Sequence, residues 1–210
     1  MNAPPATRRA RPGAGILVVD ATTGRFALPA LPDALPLAMS PVSARMAVDG
    51  GMEPGLSPRQ LGVRSLHARA FTDAALSAAH TRLGLLFTVP AHGMMSLPPE
   101  SGLWGRAARH GLAPDRQGLS YLGRSLVTLA DGARWNLRLF AIARARVVQA
   151  LFPATAGGRA VWIDEADMQS RLDQPELTPF VPLARAAASG DIITPLHVRN
   201  QAGRLRTTRL

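Results

Sequence analysis

The chain has 210 residues, of which 47% are hydrophobic. A chain of this length and composition can bury a core, and it is short enough that one domain is the default expectation. It contains no cysteine, so disulfides, thiolate metal sites and cysteine nucleophiles are excluded. It contains no lysine either, so the formal net charge of +10 comes from arginine, and lysine Schiff bases and Walker-type phosphate loops are excluded.

The positive charge has two interpretations. It suits an anionic partner such as a nucleotide, a nucleic acid or an acidic surface. The arginines are scattered, however, and the abundance of Arg and Ala favours a compositional bias of the source genome. No apolar run approaches the roughly 20 residues of a membrane-spanning helix, and the N-terminal apolar segment is too short for a secretory signal. We expect a soluble, cytoplasmic protein without membrane contact; composition carries no information on its oligomeric state.

The chain divides into three predicted segments. Residues 1–13 are rich in Pro, Ala and Arg without periodicity, which predicts a disordered arm. Residues 14–198 form one domain. Residues 199–210, with four arginines, are interpreted as a basic C-terminal tail.

The first half of the domain begins with strand signals. The apolar run at residues 15–20 (GILVVD) predicts a buried strand, and residues 26–28 return as its hairpin partner. The prolines up to residue 41 argue against a long element. A second strand is predicted at residues 43–48 (SARMAV), ending in a turn at residues 49–51 (DGG).

A helix is the next predicted element. Residues 73–86 (DAALSAAHTRLGLL) place apolar side chains at helical spacing, with Thr72 or Asp73 as N-cap and Gly84 near the end. A shorter helix is predicted at residues 103–111 (LWGRAARHG).

The sequence of the second half predicts a β-hairpin followed by one further strand and two helices. Residues 121–129 and 133–145 are two strands joined by the tight connection at residues 130–132. Residues 160–164 (AVWID) are another strand. Helices follow at residues 164–172 and 177–188. Strands and helices without regular βαβ alternation predict an α+β or mixed α/β fold.

Three stretches together resemble the Nudix hydrolase superfamily, and more narrowly its bacterial branch related to coenzyme A diphosphatases and peroxisomal Nudix enzymes. They are residues 47–55 (AVDGGMEPG), residues 74–87 (AALSAAHTRLGLLF) and residues 103–142. The first matches the turn before the catalytic helix of this branch, and the second matches the frame of that helix. The resemblance implies an α/β/α sandwich with a mixed sheet.

The third stretch carries the most specific part of the resemblance. The positions match those of the Nudix branch at Arg124, Arg134, Arg138 and Phe140. Trp135 replaces a phenylalanine of that branch. The resemblance places the three arginines near the substrate cleft, where a guanidinium can bind a phosphate. The alternative is that Arg124 and Arg138 only bridge strands on a solvated face.

The catalytic motif of the family is degenerate in this sequence. Nudix chemistry needs a glycine, a glutamate six residues on, and then Arg-Glu-apolar-x-Glu-Glu-x-Gly, whose carboxylates bind divalent cations. When the motif is aligned so that its last glycine falls on Gly84, its three helical glutamates fall on Ala78, Thr81 and Arg82. The glutamate that precedes them in the motif falls on Arg69. The resemblance therefore implies no catalytic residue and no metal site.

The motif glycine has two possible positions. Fixed spacing places it on Val63, one residue from Gly62, whereas taking the double glycine at residues 50–51 requires an insertion before the helix. The candidate ligand-binding residues are Gly50, Gly51, Arg82, Arg124, Arg134 and Arg138.

Other polar residues give weaker signals. The five histidines are dispersed without a metal-ligand spacing, so each is interpreted as structural or exposed. Asp164, Glu165 and Asp167 are clustered where a helix should begin, which favours interaction with the helix dipole over metal binding.

Three functions remain open at this point. The first is a non-hydrolytic Nudix-fold pseudoenzyme that binds a nucleotide or coenzyme A-like anion and needs no cofactor. The second is an active pyrophosphohydrolase that recruits Mg or Mn through unaligned residues such as Glu53, Glu100 or the acidic cluster at residues 164–167. The third is nucleic-acid association through the arginine-rich ends, although only 5% of the residues are aromatic and could stack on bases.

Overall fold

The structure is a computed structural model that describes residues 9–30, 37–43, 61–62, 65–91, 102–144, 159–201 and 203–210. The strands in these ranges are β1 (Arg11–Val19), β2 (Phe26–Pro29), β3 (Ala38–Pro41), β4 (Thr88–Pro90), β5 (Leu112–Pro114), β6 (Ser120–Thr128), β7 (Arg134–Ala143), β8 (Ala160–Ile163), β9 (Leu196–Gln201) and β10 (Arg204–Arg209). The helices are α1 (Ser65–Leu83), α2 (Gly102–Arg109), α3 (Glu165–Arg171) and α4 (Phe180–Ala188).

An eight-stranded mixed sheet forms the middle layer. Its strand order is β10-β9-β6-β7-β1-β2-β8, and β3 pairs with the N-terminal half of β1. β1 runs parallel to β7 and β6 runs parallel to β9, whereas the other neighbours are antiparallel. β4 and β5 form a separate two-stranded sheet.

Helices cover both faces of the sheet. α1 and α2 pack on one face, and α3 and α4 pack on the other. Because side chains alternate along a strand, β1 sends Ile16 and Val18 to the first core and Leu17 and Val19 to the second. This explains why the strand is apolar without interruption. The fold is the α/β/α sandwich with a mixed sheet that the sequence predicted.

Both predicted hairpins are confirmed. β2 returns antiparallel to β1 after a turn in which Asp20 accepts hydrogen bonds from the backbone of Thr22 and Thr23. β6 and β7 are joined by a turn in which Gly132 has φ 77° and the Leu129 N–H donates to the Ala133 carbonyl. The predicted helices α2, α3 and α4 and the strand β8 are also present.

The start of α1 differs from the prediction. The helix begins at Ser65, so Thr72 and Asp73 lie inside it and neither is an N-cap. The Thr72 hydroxyl donates to the Arg69 carbonyl at 2.9 Å, and Asp73 is paired with a buried arginine. Tertiary pairing therefore overrides the local preference of these residues for a helix start. The predicted end is confirmed, because Gly84 has φ 69° and its N–H donates to the His80 carbonyl.

The sheet extends into both predicted terminal segments. β1 begins at Arg11, within the predicted arm. Most of residues 199–210, expected as a tail, lies in the β9–β10 hairpin at one edge of the sheet. Arg204 and Arg206 share one face of the edge strand and Arg209 lies on the other, so both faces carry charge. The strand and turn predicted at residues 43–51 lie outside the described residues, except for Ser43.

None of the helices that the structure describes combines the length and the apolar character that a membrane crossing requires.

Candidate functional site

A β-bulge in β6 brings polar side chains together on the sheet face that α1 covers, here called the α1 face. Tyr121 pairs with Phe140 but Gly123 pairs with Leu139, so β6 holds one extra residue. The extra residue reverses the alternation, and Tyr121 and Arg124 therefore share one face. Glycine is required at residue 123, because its φ is 140° and an added Cβ would overlap the Leu196 carbonyl oxygen.

Arg138 on β7 is a buried cation, with 6% of its surface exposed. Its Nε donates to the Leu61 carbonyl at 3.3 Å, its Nη1 donates to the Asn136 carbonyl at 3.4 Å, and its Cζ lies 4.8 Å from the centre of the Phe71 ring. Burial lowers the pKa of Arg138, and the neighbouring Arg124 lowers it further. Within the described part of the chain, no carboxylate pairs with Arg138.

Arg124 stands directly opposite Arg138 across the β6–β7 pair. Its Nη2 lies 3.4 Å from Nδ1 of His197, its cross-strand partner on β9, and no group of the ranges that the structure describes forms a hydrogen bond with its buried Nε. A methyl group at Gly62 would lie 3.1 Å from Nη1 of Arg124, so the chain before α1 passes close to the guanidinium. Burial lowers the pKa of His197 from 6.5, and the charges of Arg124 and Arg199 lower it further.

Tyr121 adds a neutral donor to the same face. Its side chain is 2% exposed, its ring centre lies 5.6 Å from that of Phe140, and its hydroxyl has no hydrogen-bond partner among the described residues. Burial raises the pKa of Tyr121 to about 12, although the charges of Arg138 and Arg124 act in the opposite direction. The phenol therefore keeps its proton at neutral pH and is available to donate a hydrogen bond.

We call Tyr121, Arg124, Arg138 and His197 the basic cluster. Like charges directly opposite each other on neighbouring strands are destabilising, and Arg124 and Arg138 have no acidic residue between them among the described residues. Guanidinium groups and a phenolic O–H are suitable donors to a phosphate or a carboxylate. The cluster therefore has the composition of an anion-binding site.

The structure brings only some of the predicted site residues together. Arg124 and Arg138 are adjacent, as the sequence implied. Arg134 is half-buried on the same face but lies four residues before Arg138, roughly 13 Å along the strand. Arg82 is exposed near the end of α1, roughly 16 Å along the helix axis from Phe71, which covers Arg138. Gly50 and Gly51 lie outside the described residues.

The positions that carry glutamates in the Nudix motif have other contacts here. Ala78 is fully buried in the core, and the Thr81 hydroxyl donates to the Ser77 carbonyl at 2.9 Å. The hydroxyl of Ser77 accepts a hydrogen bond from the Trp104 indole at 3.0 Å. No group of three or more His, Asp or Glu side chains suited to a metal ion occurs in the described ranges.

The acidic cluster that begins at Asp164 lies at the start of α3, as the helix interpretation predicted. The Asp164 carboxylate accepts from the backbone N–H of Asp167 at 2.8 Å, and Glu165 pairs with Arg185 at 2.9 Å. This cluster follows β8, four strand positions from β6, which corresponds to roughly 19 Å across the sheet. Glu53 and Glu100 lie outside the described residues.

Two members of the basic cluster were missed by sequence reasoning. His197 lies in a stretch that was not assigned to any element, although its alternation of apolar and polar residues (LHVRNQ) is a strand signal. Tyr121 was recognised only as part of a strand, because without the bulge it would point away from Arg124.

Comparison with solved structures identifies the fold. A Nudix hydrolase from Alicyclobacillus acidocaldarius superposes with a TM-score of 0.54 at 17% sequence identity, covering 88% of this chain and 93% of that chain. A Nudix hydrolase from Nitrosomonas europaea gives a TM-score of 0.43 at 12% identity, covering 86% and 91% of the two chains. The first similarity shows that this chain has the Nudix fold. No protein-family model matches the sequence. No curated protein matches it either.

Proposed function

We propose that this chain binds an anionic, nucleotide-like small molecule at the basic cluster and does not hydrolyse it. The observation that carries the proposal is the buried Arg138 opposite Arg124, for which the described residues contain no neutralising carboxylate. Burying a cation is costly, and carbonyl dipoles and one aromatic ring compensate it only in part.

A phosphate group supplies the missing compensation. It carries negative charge and several acceptor oxygens, which suit the two guanidinium groups and the protonated Tyr121 hydroxyl. The nucleotide or coenzyme A-like part of the proposal rests on the sequence resemblance, which places Arg124 and Arg138 beside the substrate cleft of the Nudix fold. The scaffold itself is the one that the structural comparison identifies.

The absence of hydrolysis is proposed from the side chains at the motif positions of α1. Divalent cations such as Mg prefer several hard oxygen ligands, usually carboxylates. Ala78 offers a methyl group, Arg82 offers a cation, and the Thr81 hydroxyl already donates to a helix carbonyl. These residues do not fit the metal site of an active Nudix enzyme.

Ligand titration tests the binding half of this proposal. ADP, ADP-ribose, coenzyme A and inorganic phosphate are titrated into the wild type, Arg124→Gln and Arg209→Gln by calorimetry. Arg209 pairs with Leu196, whose side chain faces the other core, so its substitution removes an equal charge from the opposite sheet face. We expect Arg124→Gln to weaken nucleotide binding at least about tenfold and Arg209→Gln to leave it unchanged. Equal losses in both variants, or no nucleotide binding by the wild type, would refute it.

Product analysis tests the non-hydrolytic half separately. The same compounds are incubated with the wild type and manganese, and the products are separated by chromatography. We expect intact ligand throughout. Monophosphate products that disappear in a Glu53→Gln variant would show an active pyrophosphohydrolase with metal ligands outside the aligned motif.

A further inference from the structure

β10 is an edge strand of the eight-stranded sheet within the described ranges, and all six of its residues are exposed. Its pairing with β9 continues without a register shift, and its sequence contains no proline. Edge strands in natural proteins are commonly interrupted by a bulge or a proline, because an unpaired edge accepts a strand from another chain. β10 has neither interruption, so it presents a continuous edge.

The hydrogen bonds to β9 show which backbone groups of β10 point away from the sheet. The N–H of Leu210 donates to the Pro195 carbonyl at 2.8 Å, one residue beyond the pair of Arg209 with Leu196. Backbone groups of an antiparallel strand alternate between its two sides, so the even-numbered residues of β10 bond to β9. The odd-numbered residues direct both N–H and C=O outward, and no described residue forms a hydrogen bond with these groups. They are Leu205, Thr207 and Arg209.

Arginine side chains flank this edge on both faces of the sheet. Arg204 and Arg206 lie on the α1 face and Arg209 lies on the opposite face. No carboxylate of the described residues pairs with any of the three. Leu205, which is 43% exposed, shares the face of Arg209. The edge therefore combines outward backbone donors and acceptors with positive charge on both faces and one exposed apolar side chain.

Charge and hydrogen bonding discriminate among the partners of such an edge. A second copy of this chain would bring the same arginines to the contact, and its net charge of +10 would oppose association. The phosphates of a nucleic acid would neutralise the arginines, but phosphates only accept hydrogen bonds and leave the outward carbonyl groups without donors. An acidic peptide in extended conformation supplies carboxylates together with backbone donors and acceptors.

We propose that β10 binds an acidic, extended segment of another protein as an additional antiparallel strand. Main-chain hydrogen bonds to the outward groups hold the segment, and its side chains determine specificity. Acidic residues of the segment stand opposite Arg209, Arg206 and Arg204, and an apolar residue stands opposite Leu205. From its N-terminus, the complementary pattern is acidic-x-x-acidic-apolar-acidic. The edge lies outside the basic cluster, so binding here is independent of the proposed function.

A matched pair of labelled peptides tests strand addition. The first contains the core Glu-Thr-Val-Glu-Val-Glu, and the second has the same charge but proline in place of the first valine. That valine stands opposite Thr207 and donates to its outward carbonyl, which proline cannot do. We expect fluorescence anisotropy to show binding of the first peptide that weakens with salt, and binding of the second that is at least about tenfold weaker.

Protein variants separate the contributions of backbone and charge. Thr207→Pro removes one outward N–H and keeps every arginine, and it should weaken binding of the first peptide at least about tenfold. Arg206→Gln should weaken it about threefold. Arg25→Gln removes an equal charge from an exposed position before β2, five strand positions from β10, and should leave binding unchanged. In Thr207→Pro, slow hydrogen exchange of the Arg206 amide, which bonds to β9, verifies that the hairpin is intact.

Hydrogen exchange with the first peptide bound locates the contact. Exchange should slow at the outward amides of Leu205, Thr207 and Arg209 and stay as it was at Arg206 and Thr208. No binding, or equal binding of the two peptides, overturns the proposal. Outward amides that are unchanged by bound peptide would show contact through charge alone and would overturn strand addition. A single-stranded oligonucleotide that binds far more tightly and displaces the peptide would make nucleic acid the partner instead.

Discussion

Two buried arginines on the same side of this molecule have opposite environments. Arg116 is 1% exposed and binds the fully buried Asp73 of α1 through two hydrogen bonds, from Nε at 2.7 Å and from Nη2 at 2.8 Å. Arg138 is 6% exposed, yet its contacts are two carbonyl oxygens and the Phe71 ring. Within the described part of the chain, a carboxylate neutralises Arg116 and none pairs with Arg138.

Under the proposed function, Arg116 is a structural charge and Arg138 is a ligand-binding charge. The bidentate pair of Arg116 and Asp73 joins α1 to the loop after β5 and is complete without any ligand. Among the residues that the structure describes, Arg138 faces a second arginine and a phenol and pairs with no carboxylate, so its charge is compensated only in part. A folded protein retains such an arrangement at some cost to its stability, which is typical of functional sites.

The largest effect is expected from breaking the neutralised pair. Asp73→Asn removes the carboxylate that binds the buried Arg116 through two hydrogen bonds and should lower the free energy of unfolding by about 3–5 kcal/mol, measured by chemical denaturation. The double variant Asp73→Leu/Arg116→Met removes both charges and should recover most of this loss. A cost below about 1 kcal/mol for the single variant would show that the pair does not stabilise the packing of α1.

Arg138→Met should behave in the opposite way. Replacing a buried cation that pairs with no carboxylate of the described residues by an apolar side chain of similar length should change the free energy of unfolding by less than about 1 kcal/mol or increase it. The variant should instead lose stabilisation by ligand: ADP at about 100 times its Kd should add about 2.7 kcal/mol to the wild type and far less to the variant. Denaturation with and without ADP measures both quantities. A loss comparable to that of Asp73→Asn would make Arg138 a structural residue.

The smallest effect concerns pH. The pKa of His197 is lowered below 6.5 in the folded protein, so the unfolded chain binds more protons in this range. The contribution of His197 to stability is therefore fully present above pH 6.5 and is lost as the pH falls below it. A bound phosphate reverses the direction of this pH dependence, because it favours the charged imidazolium form of His197. ADP should therefore bind more tightly at about pH 5.5 than at about pH 7.5.

His197→Gln is the variant that isolates this titration. It should remove the part of the pH dependence of ADP binding that is due to the imidazole and leave the separate contribution of His80 to the pH dependence of stability, because the pKa of His80 is also lowered by burial. Denaturation and calorimetry across this pH range measure the two effects. An unchanged binding profile in His197→Gln would place the ligand away from β9.

Residues close together in the sequence were sufficient to predict most of the strands and helices. The apolar run of β1, the glycine turn between β6 and β7, and the end of α1 at Gly84 each depend on residues close in sequence, and each is confirmed. The start of α1 was wrong because Asp73 has the properties of an N-cap until its partner 43 residues away is known. The hairpin of β9 and β10 was missed because edge strands carry polar side chains on both faces.

The candidate site was predicted in part. Resemblance of the β6–β7 region placed Arg124 and Arg138 together, and their cross-strand pairing agrees with it. Residue alternation alone would put Tyr121 and Arg124 on opposite faces of the sheet. The bulge at Gly123 reverses this, and the parallel pairing of β9 with β6 brings His197 beside Arg124.

The amino-acid sequence by itself determined which chemistry is available: no thiol, no lysine, many guanidinium groups, and no acidic residue at the aligned helical motif positions. The pattern of its apolar residues predicted a mixture of strands and helices, and its resemblance to the Nudix superfamily implied the α/β/α sandwich. Only the tertiary structure decided which arginines are neutralised and which face one another. The physical reason is that charge compensation depends on distances between strands and helices far apart in the chain, and a single extra residue in β6 changes those distances.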